Sequence, residues 1–139
     1  MPSSTQPDGD LLAPRHWLWT WGPAVLCAAA LFTLSSFSAL PAPPMEVSDK
    51  AEHFTAYSLF TLSILWGLSG GRPSTVSWTK GLGALALASL YGVTDELHQY
   101  FVPGRTCDVH DWMADTSGAA IAVMLGLAAI VLVRRSRPD

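Results

Sequence analysis

The sequence predicts an all-α protein, a four-helix transmembrane bundle with both termini cytoplasmic, and three observations carry that reading. Half of the 139 residues are apolar and 14% are charged, which is the composition of a membrane protein. The apolar residues fall in four blocks long enough, at roughly 20 helical residues, to cross a hydrocarbon core. Pro- and Gly-rich segments separate the blocks and cannot continue a helix.

In lipid every backbone N–H and C=O must be paired within its segment or in a closed barrel, and these blocks are too long and too evenly apolar for barrel strands. They are therefore read as helices. Residues 1–14 are polar, contain Pro and lack apolar periodicity, and are expected to form a disordered cytoplasmic tail. A helix over 17–40 opens on Trp17, Trp19 and Trp21, aromatics suited to the membrane interface. Arg15 and the small residues Ser36-Phe37-Ser38-Ala39 raise the alternative of a cleaved signal peptide, but the run exceeds the 7–15 residues of a signal core. Leu40-Pro41-Ala42-Pro43-Pro44 ends this helix. Ser48 caps a second helix over 49–69, which stops at the turn Gly70-Gly71-Arg72-Pro73-Ser74. A third spans 78–100 and is broken by Val102-Pro103-Gly104. The fourth spans 111–133, with Asp108 placed to cap it. One membrane domain, 15–135, thus occupies the chain, followed by a short tail at 136–139.

Arg15, Arg72, Lys80, Arg134, Arg135 and Arg137 lie on the side of the termini and the middle loop, whereas Lys50 and Arg105 lie on the other. By the positive-inside rule both termini are cytoplasmic, in a multi-pass protein of the inner membrane. Trp78 and Trp112 also fall near helix ends, while Trp66 is mid-helix without an obvious role. The net charge of −3 and scattered basic residues argue against nucleic-acid binding. There is no Gly-rich phosphate loop, paired CxxC or GxSxG elbow. Cys27 and Cys107 show no bridging or redox spacing.

The outer ends of the helices carry the chemistry. Asp49, Glu52, His53 and Tyr57 follow i, i+3, i+4, i+8 and form one stripe down the second helix, flanked by Lys50. On the third, Gly92, Asp95, Glu96 and Gln99 share a face beside His98, and Gly92 leaves room below the carboxylates. On the fourth, Asp108, Asp111, Asp115 and Gly118 make a stripe running inward. Small residues every fourth position, Ala84, Ala88 and Gly92 against Gly118, Ala122 and Gly126, are expected to let the third and fourth helices approach closely. Asp49, Glu52 and Asp108 also suit simple capping, and Tyr57 suits bundle filling. The adjacent Asp95 and Glu96 are harder to explain structurally, because buried unpaired carboxylates cost several kcal/mol. Arg105 sits on a Pro-Gly turn. There it either pairs with Asp108 or Asp95, or grips a phosphate or carboxylate bidentately.

Three strings carry a resemblance: Asp49-Lys50-Ala51-Glu52-His53-Phe54-Thr55-Ala56-Tyr57, Asp95-Glu96-Leu97-His98-Gln99 with Val102-Pro103-Gly104-Arg105, and Asp108-Val109-His110-Asp111 continuing to Asp115 and Gly118. Their order and spacing resemble the VanZ-like family of small bacterial integral membrane proteins, over roughly residues 49–133, with the first helix matching only in being apolar. Many relatives carry Asn where this chain has Asp115. The resemblance implies an envelope membrane protein and, through the founding member, an accessory role in glycopeptide (teicoplanin) resistance.

The expected function is action on, or recognition of, an anionic envelope lipid or cell-wall precursor headgroup. Glu96, Asp95 and His53 are the candidate acid–base groups, and Arg105, Lys50, Tyr57, Gln99 and Asp111 the candidate substrate-binding residues. Asp95, Glu96, Asp108, Asp111 and Asp115 could ligate a divalent cation, with Mg²⁺, Mn²⁺ or Ca²⁺ favoured over zinc by the excess of carboxylates. The alternative is a non-catalytic binding, transport or accessory subunit with envelope protein partners.

Overall fold

The computed structural model describes residues 14–38 and 48–136. Four helices follow one another: α1 (Pro14–Ser35), α2 (Asp49–Leu68), α3 (Trp78–Tyr100) and α4 (Val109–Arg135), with one 3₁₀ turn at Pro73–Thr75. Among the described residues there is no strand, so the all-α four-helix architecture is the predicted one. The expected N-terminal tail up to residue 13, the break at 41–44 and the end of the chain beyond residue 136 lie outside the described residues.

Helix boundaries follow local hydrogen bonding. The Ser48 hydroxyl accepts the Ala51 N–H at 3.3 Å and the Ser77 hydroxyl accepts that of Lys80 at 3.4 Å, starting α2 and α3. Asp108 accepts the His110 N–H at 2.9 Å and starts α4 two residues before the predicted position. The first helix ends at Ser35, five residues short of the prediction. The Ser35 and Ser36 hydroxyls both donate to the Phe32 carbonyl, at 3.0 and 2.7 Å, and such local bonds compete with the helical ladder.

Helix α4 lies closest to α2. A Cβ placed on Gly118 would stand 2.2 Å from the Phe54 carbonyl oxygen, and the Ser58 hydroxyl bridges the Phe54 and Gly118 carbonyls at 2.7 and 3.0 Å. The expected pairing of small residues between α3 and α4 is thus only half realised. Gly81 and Gly92 of α3 do face α4, meeting Val123 and Asp115, but Gly118 and Gly126 turn to α2, meeting Phe54 and Leu65. The reason is angular: Gly118 lies three residues after Asp115, about 60° round the helix, so adjacent stripes of α4 serve different neighbours. The Tyr91 hydroxyl donates to the Ala28 carbonyl at 2.7 Å and ties α3 to α1. Trp66 also gains a role, its indole N–H donating to the Trp19 carbonyl at 3.2 Å.

The packing is inverted relative to a water-soluble domain. Leu26, Leu59, Leu90, Leu125 and Leu132 are all about two-thirds exposed, whereas Asp95, Glu96, Gln99, Asp111 and Asp115 are buried. An apolar surface on this scale marks contact with another apolar phase. Four spans were expected, but by length and hydropathy two of the described helices are apolar enough to cross a membrane, His16–Ser35 and Val109–Arg135. The polar stripes of α2 and α3 lower their hydropathy; the bundle buries Tyr57, Asp95, Glu96 and Gln99 from them and leaves Asp49 and Glu52 exposed.

Candidate functional site

The polar residues gather where the N-terminal turns of α2 and α4 meet the C-terminal turns of α3 and α1. At the rim, the Lys50 ammonium donates to Asp108 at 2.8 Å and makes a very short contact with Asp111. Asp108 additionally bonds the His110 ring at 2.8 Å. The Lys50 ammonium and then the His110 N–H hold the Asp108 carboxyl far below the usual carboxylate range. Lys50, a substrate-binding candidate from the sequence, pairs with the α4 cap residue Asp108 and with Asp111, and so clamps α2 to the start of that helix.

Deeper in, one nitrogen of His53 bonds Asp115, Nδ1 to Oδ1, at 2.9 Å, and Asp115 is fully buried. Glu96 Oε2 accepts the backbone N–H of Asp108 at 2.7 Å, which fixes the turn leading into α4. The neighbouring Asp95 points to a different side, where its Oδ2 accepts from the Gln99 amide at 3.4 Å. Gln99 Oε1 in turn accepts from Arg105 Nε and Nη2 at 3.3 and 2.8 Å. Neither ion pair expected of Arg105, with Asp108 or Asp95, forms: among the described residues no carboxylate lies within 4.0 Å of its guanidinium. Steric order explains this, since Lys50 and His110 already occupy Asp108, and Gln99 stands between Arg105 and Asp95.

Three buried polar atoms of this region have no hydrogen-bond partner among the described residues: Tyr57 Oη, Glu96 Oε1 and Asp115 Oδ2. A cavity of about 100 Å³ is lined by Leu31 and Leu34 of α1 together with His53, Tyr57 and Asp95. A second, almost wholly polar cavity of about 210 Å³ is lined by Ser38, Gly104, Thr106 and Asp111. Both share Asp49, Gln99 and Arg105, so the guanidinium stands between an amphipathic chamber and a polar one. Among the described residues two sets of donor atoms are close enough to hold a metal ion, Asp49 with His53 and Asp111, and His53 with Glu96 and Asp115. Asp95 and Asp108, read from sequence as possible metal ligands, belong to neither set.

Other placements differ from the sequence reading. His98 faces α1, where its ring packs 4.6 Å from Phe32 and its Nε2 meets the Ser36 hydroxyl at 3.0 Å. Glu52 is exposed on the cavity's edge. The contribution of α1 was not legible, because Leu31, Leu34 and Ser35 belong to no motif and read only as an apolar span. Cys107 is exposed in the α3–α4 turn, where desolvation and the Glu96 and Asp108 carboxylates push its thiol up.

The VanZ/LLP1 family model matches residues 12–132 and so includes the first helix, which the sequence motifs alone left out. Over 87 residues the chain is 30% identical to the uncharacterized protein C11E3.10 of Schizosaccharomyces pombe (strain 972 / ATCC 24843), covering 63% of this chain and 51% of that protein. The chain therefore spans about half the length of this curated relative. No solved structure matches it. Because the family match runs through all four helices and every element of the polar site, the chain belongs to the VanZ/LLP1 family.

Proposed function

We propose that this protein is a multi-pass protein of the bacterial inner membrane that recognises the anionic headgroup of an envelope lipid or lipid-linked cell-wall precursor. The observation that carries the reading is Arg105. Its guanidinium is held by a neutral Gln99 carbonyl and leaves its charge uncompensated at the junction of the two cavities. The leucine wall of the inner cavity suits the start of an acyl or prenyl chain, and the polar outer cavity suits a headgroup.

The surrounding carboxylates give the region a negative field, so an anion gains nothing from diffuse attraction. Binding has to come from direct, forked contact with Arg105. His53, oriented by Asp115, lines the inner cavity and supplies one imidazole for proton transfer or for ligation, and in this reading the reaction class is cleavage or transfer of a phosphate-linked group. An accessory role within an envelope complex is compatible with the same site.

Lipid that co-purifies with the wild type, Arg105→Lys and Arg105→Ala is compared by mass spectrometry. We expect Arg105→Lys to retain about tenfold less acidic lipid than wild type, equivalent to about 1.4 kcal/mol, and Arg105→Ala still less. Equal retention by all three would reject the recognition role. Incubation with total bacterial lipid extract, followed by a search for a new species, separates turnover from binding.

The outward placement of the site rests on the distribution of basic residues. In intact cells, native Cys107 is expected to react with an impermeant thiol reagent, slowly because its thiol is pushed up. A cysteine introduced at Ser3 is expected to stay shielded until the membrane is permeabilised. The reverse pattern would turn the site to the cytoplasm.

A further inference from the structure

We propose that His53, Glu96 and Asp115 form a binding site for one small divalent cation inside the bundle. Each comes from a different helix, α2, α3 and α4. Their donor atoms lie within 4.8 Å of one another. A point no more than about 2.8 Å from all three therefore exists, within a small side-chain adjustment of the roughly 2.1 Å at which imidazole and carboxylate ligands bind.

A second observation is independent of that spacing. Glu96 Oε1 and Asp115 Oδ2 are buried acceptors without a partner among the described residues, on side chains 4% and 0% exposed. Two carboxylates in such a place need compensating positive charge, and Lys50 is already engaged with Asp108 and Asp111. The other oxygen of each is fixed, Glu96 Oε2 by the Asp108 N–H and Asp115 Oδ1 by His53. These bonds set the orientation of both carboxylates in the way outer-shell contacts set metal ligands.

Room for the ion is made by Gly92. A Cβ there would stand 3.0 Å from Asp115 Oδ2, 3.3 Å from Trp112 and 3.4 Å from Tyr57, so any side chain at 92 would crowd the unpartnered oxygen of Asp115. Two carboxylate oxygens with one imidazole and no thiolate suit a divalent ion that accepts both oxygen and nitrogen, such as Mn²⁺. Three protein ligands leave coordination positions open for water or a ligand's oxygen. The outer set, Asp49 with His53 and Asp111, is the weaker alternative, because Lys50 bonds both of its aspartates and would repel the ion.

The test uses the full chain in detergent, stripped with chelator and titrated with Mn²⁺ alone. Paramagnetic resonance follows the free ion, and electron spin echo detects nitrogen bound to it. We expect one saturable Mn²⁺ per chain, echo modulation from one imidazole nitrogen, affinity lowered at least about tenfold in Glu96→Gln, and unchanged affinity in Asp49→Asn. Glutamine at 96 still accepts the Asp108 N–H, so the fold should survive, as circular dichroism and melting would verify. If it does not, the wild-type echo and Asp49→Asn still decide. Absent saturation, absent nitrogen modulation, a wild-type affinity in Glu96→Gln, or an equal loss in Asp49→Asn would each overturn the site. The readout is bound Mn²⁺ and not retained lipid, and Arg105 is in neither ligand set, so failure here leaves the Arg105 reading standing.

Discussion

Gly118→Ala is expected to destabilise the bundle by about 3 kcal/mol, the effect of one methyl group placed against backbone. The new Cβ would fall 2.2 Å from the Phe54 carbonyl oxygen and 3.0 Å from the Ser58 hydroxyl. Neither the carbonyl nor the helix carrying it can step aside without moving α2, so relief requires the two helices to separate. Separation would loosen the Ser58 bridge to the Gly118 carbonyl and would carry His53 away from Asp115, which lies one turn along α4. The variant should therefore lose site geometry as well as stability. Gly83→Ala is the control: Gly83 also lies inside a helix, its Cβ position meets nothing nearer than the Leu68 side chain at 3.5 Å, and alanine there should stabilise by up to about 1 kcal/mol through helix propensity. Unfolding titrations of the two variants in the same detergent should move in opposite directions. Equal stability would mean that α2 and α4 do not approach as closely as the structure shows.

That close approach illustrates what the sequence could and could not say. The recurrence of small residues on α3 and α4 was visible, and it implied tight packing. Which neighbour each glycine faced depended on a rotation of about 60° that periodicity within one helix does not determine. The polar end was legible for the same reason the helices were: Asp49, His53, Asp95, Glu96, Asp111 and Asp115 interrupt apolar runs at helical spacing, and the fold brings all of them to one end. Their pairing was not legible. Lys50 and Arg105 looked equivalent as isolated cations near carboxylates, and only three-dimensional packing makes Lys50 neutralised by Asp108 and Asp111 while Arg105 meets only Gln99. Adjacent Asp95 and Glu96 looked like one pair. One helical step of about 100° sends them to different partners, Gln99 for the first and the Asp108 backbone for the second. The leucines of α1 gave no signal because an apolar residue in an apolar span is uninformative until a cavity adjoins it.

The His53–Asp115 contact can separate the structural from the functional part of this site. His53 is the side-chain partner of Asp115, at 2.9 Å, and the aspartate is wholly buried. His53→Leu in chelator is therefore expected to destabilise the fold by about 3–5 kcal/mol, the usual consequence of stranding a buried charge. The double variant, His53→Leu with Asp115→Leu, should recover most of that loss, since replacing both members with apolar groups of similar size removes the desolvation penalty together with the attraction. Denaturant unfolding of the four proteins closes a thermodynamic cycle, and an interaction energy well outside the sum of the single effects is the expected outcome. A loss below about 1 kcal/mol in His53→Leu would mean that Asp115 is neutral and needs no partner. The need for a cation beside it would then disappear. The double variant adds the functional comparison. If the pair only holds α2 to α4, a refolded apolar version should keep lipid retention and any turnover of the wild type. If His53 and Asp115 serve chemistry, the double variant should be well folded, should retain acidic lipid through Arg105, and should neither bind Mn²⁺ nor convert lipid extract. Recovery of stability without recovery of activity is the signature expected of residues retained for what they do at the site.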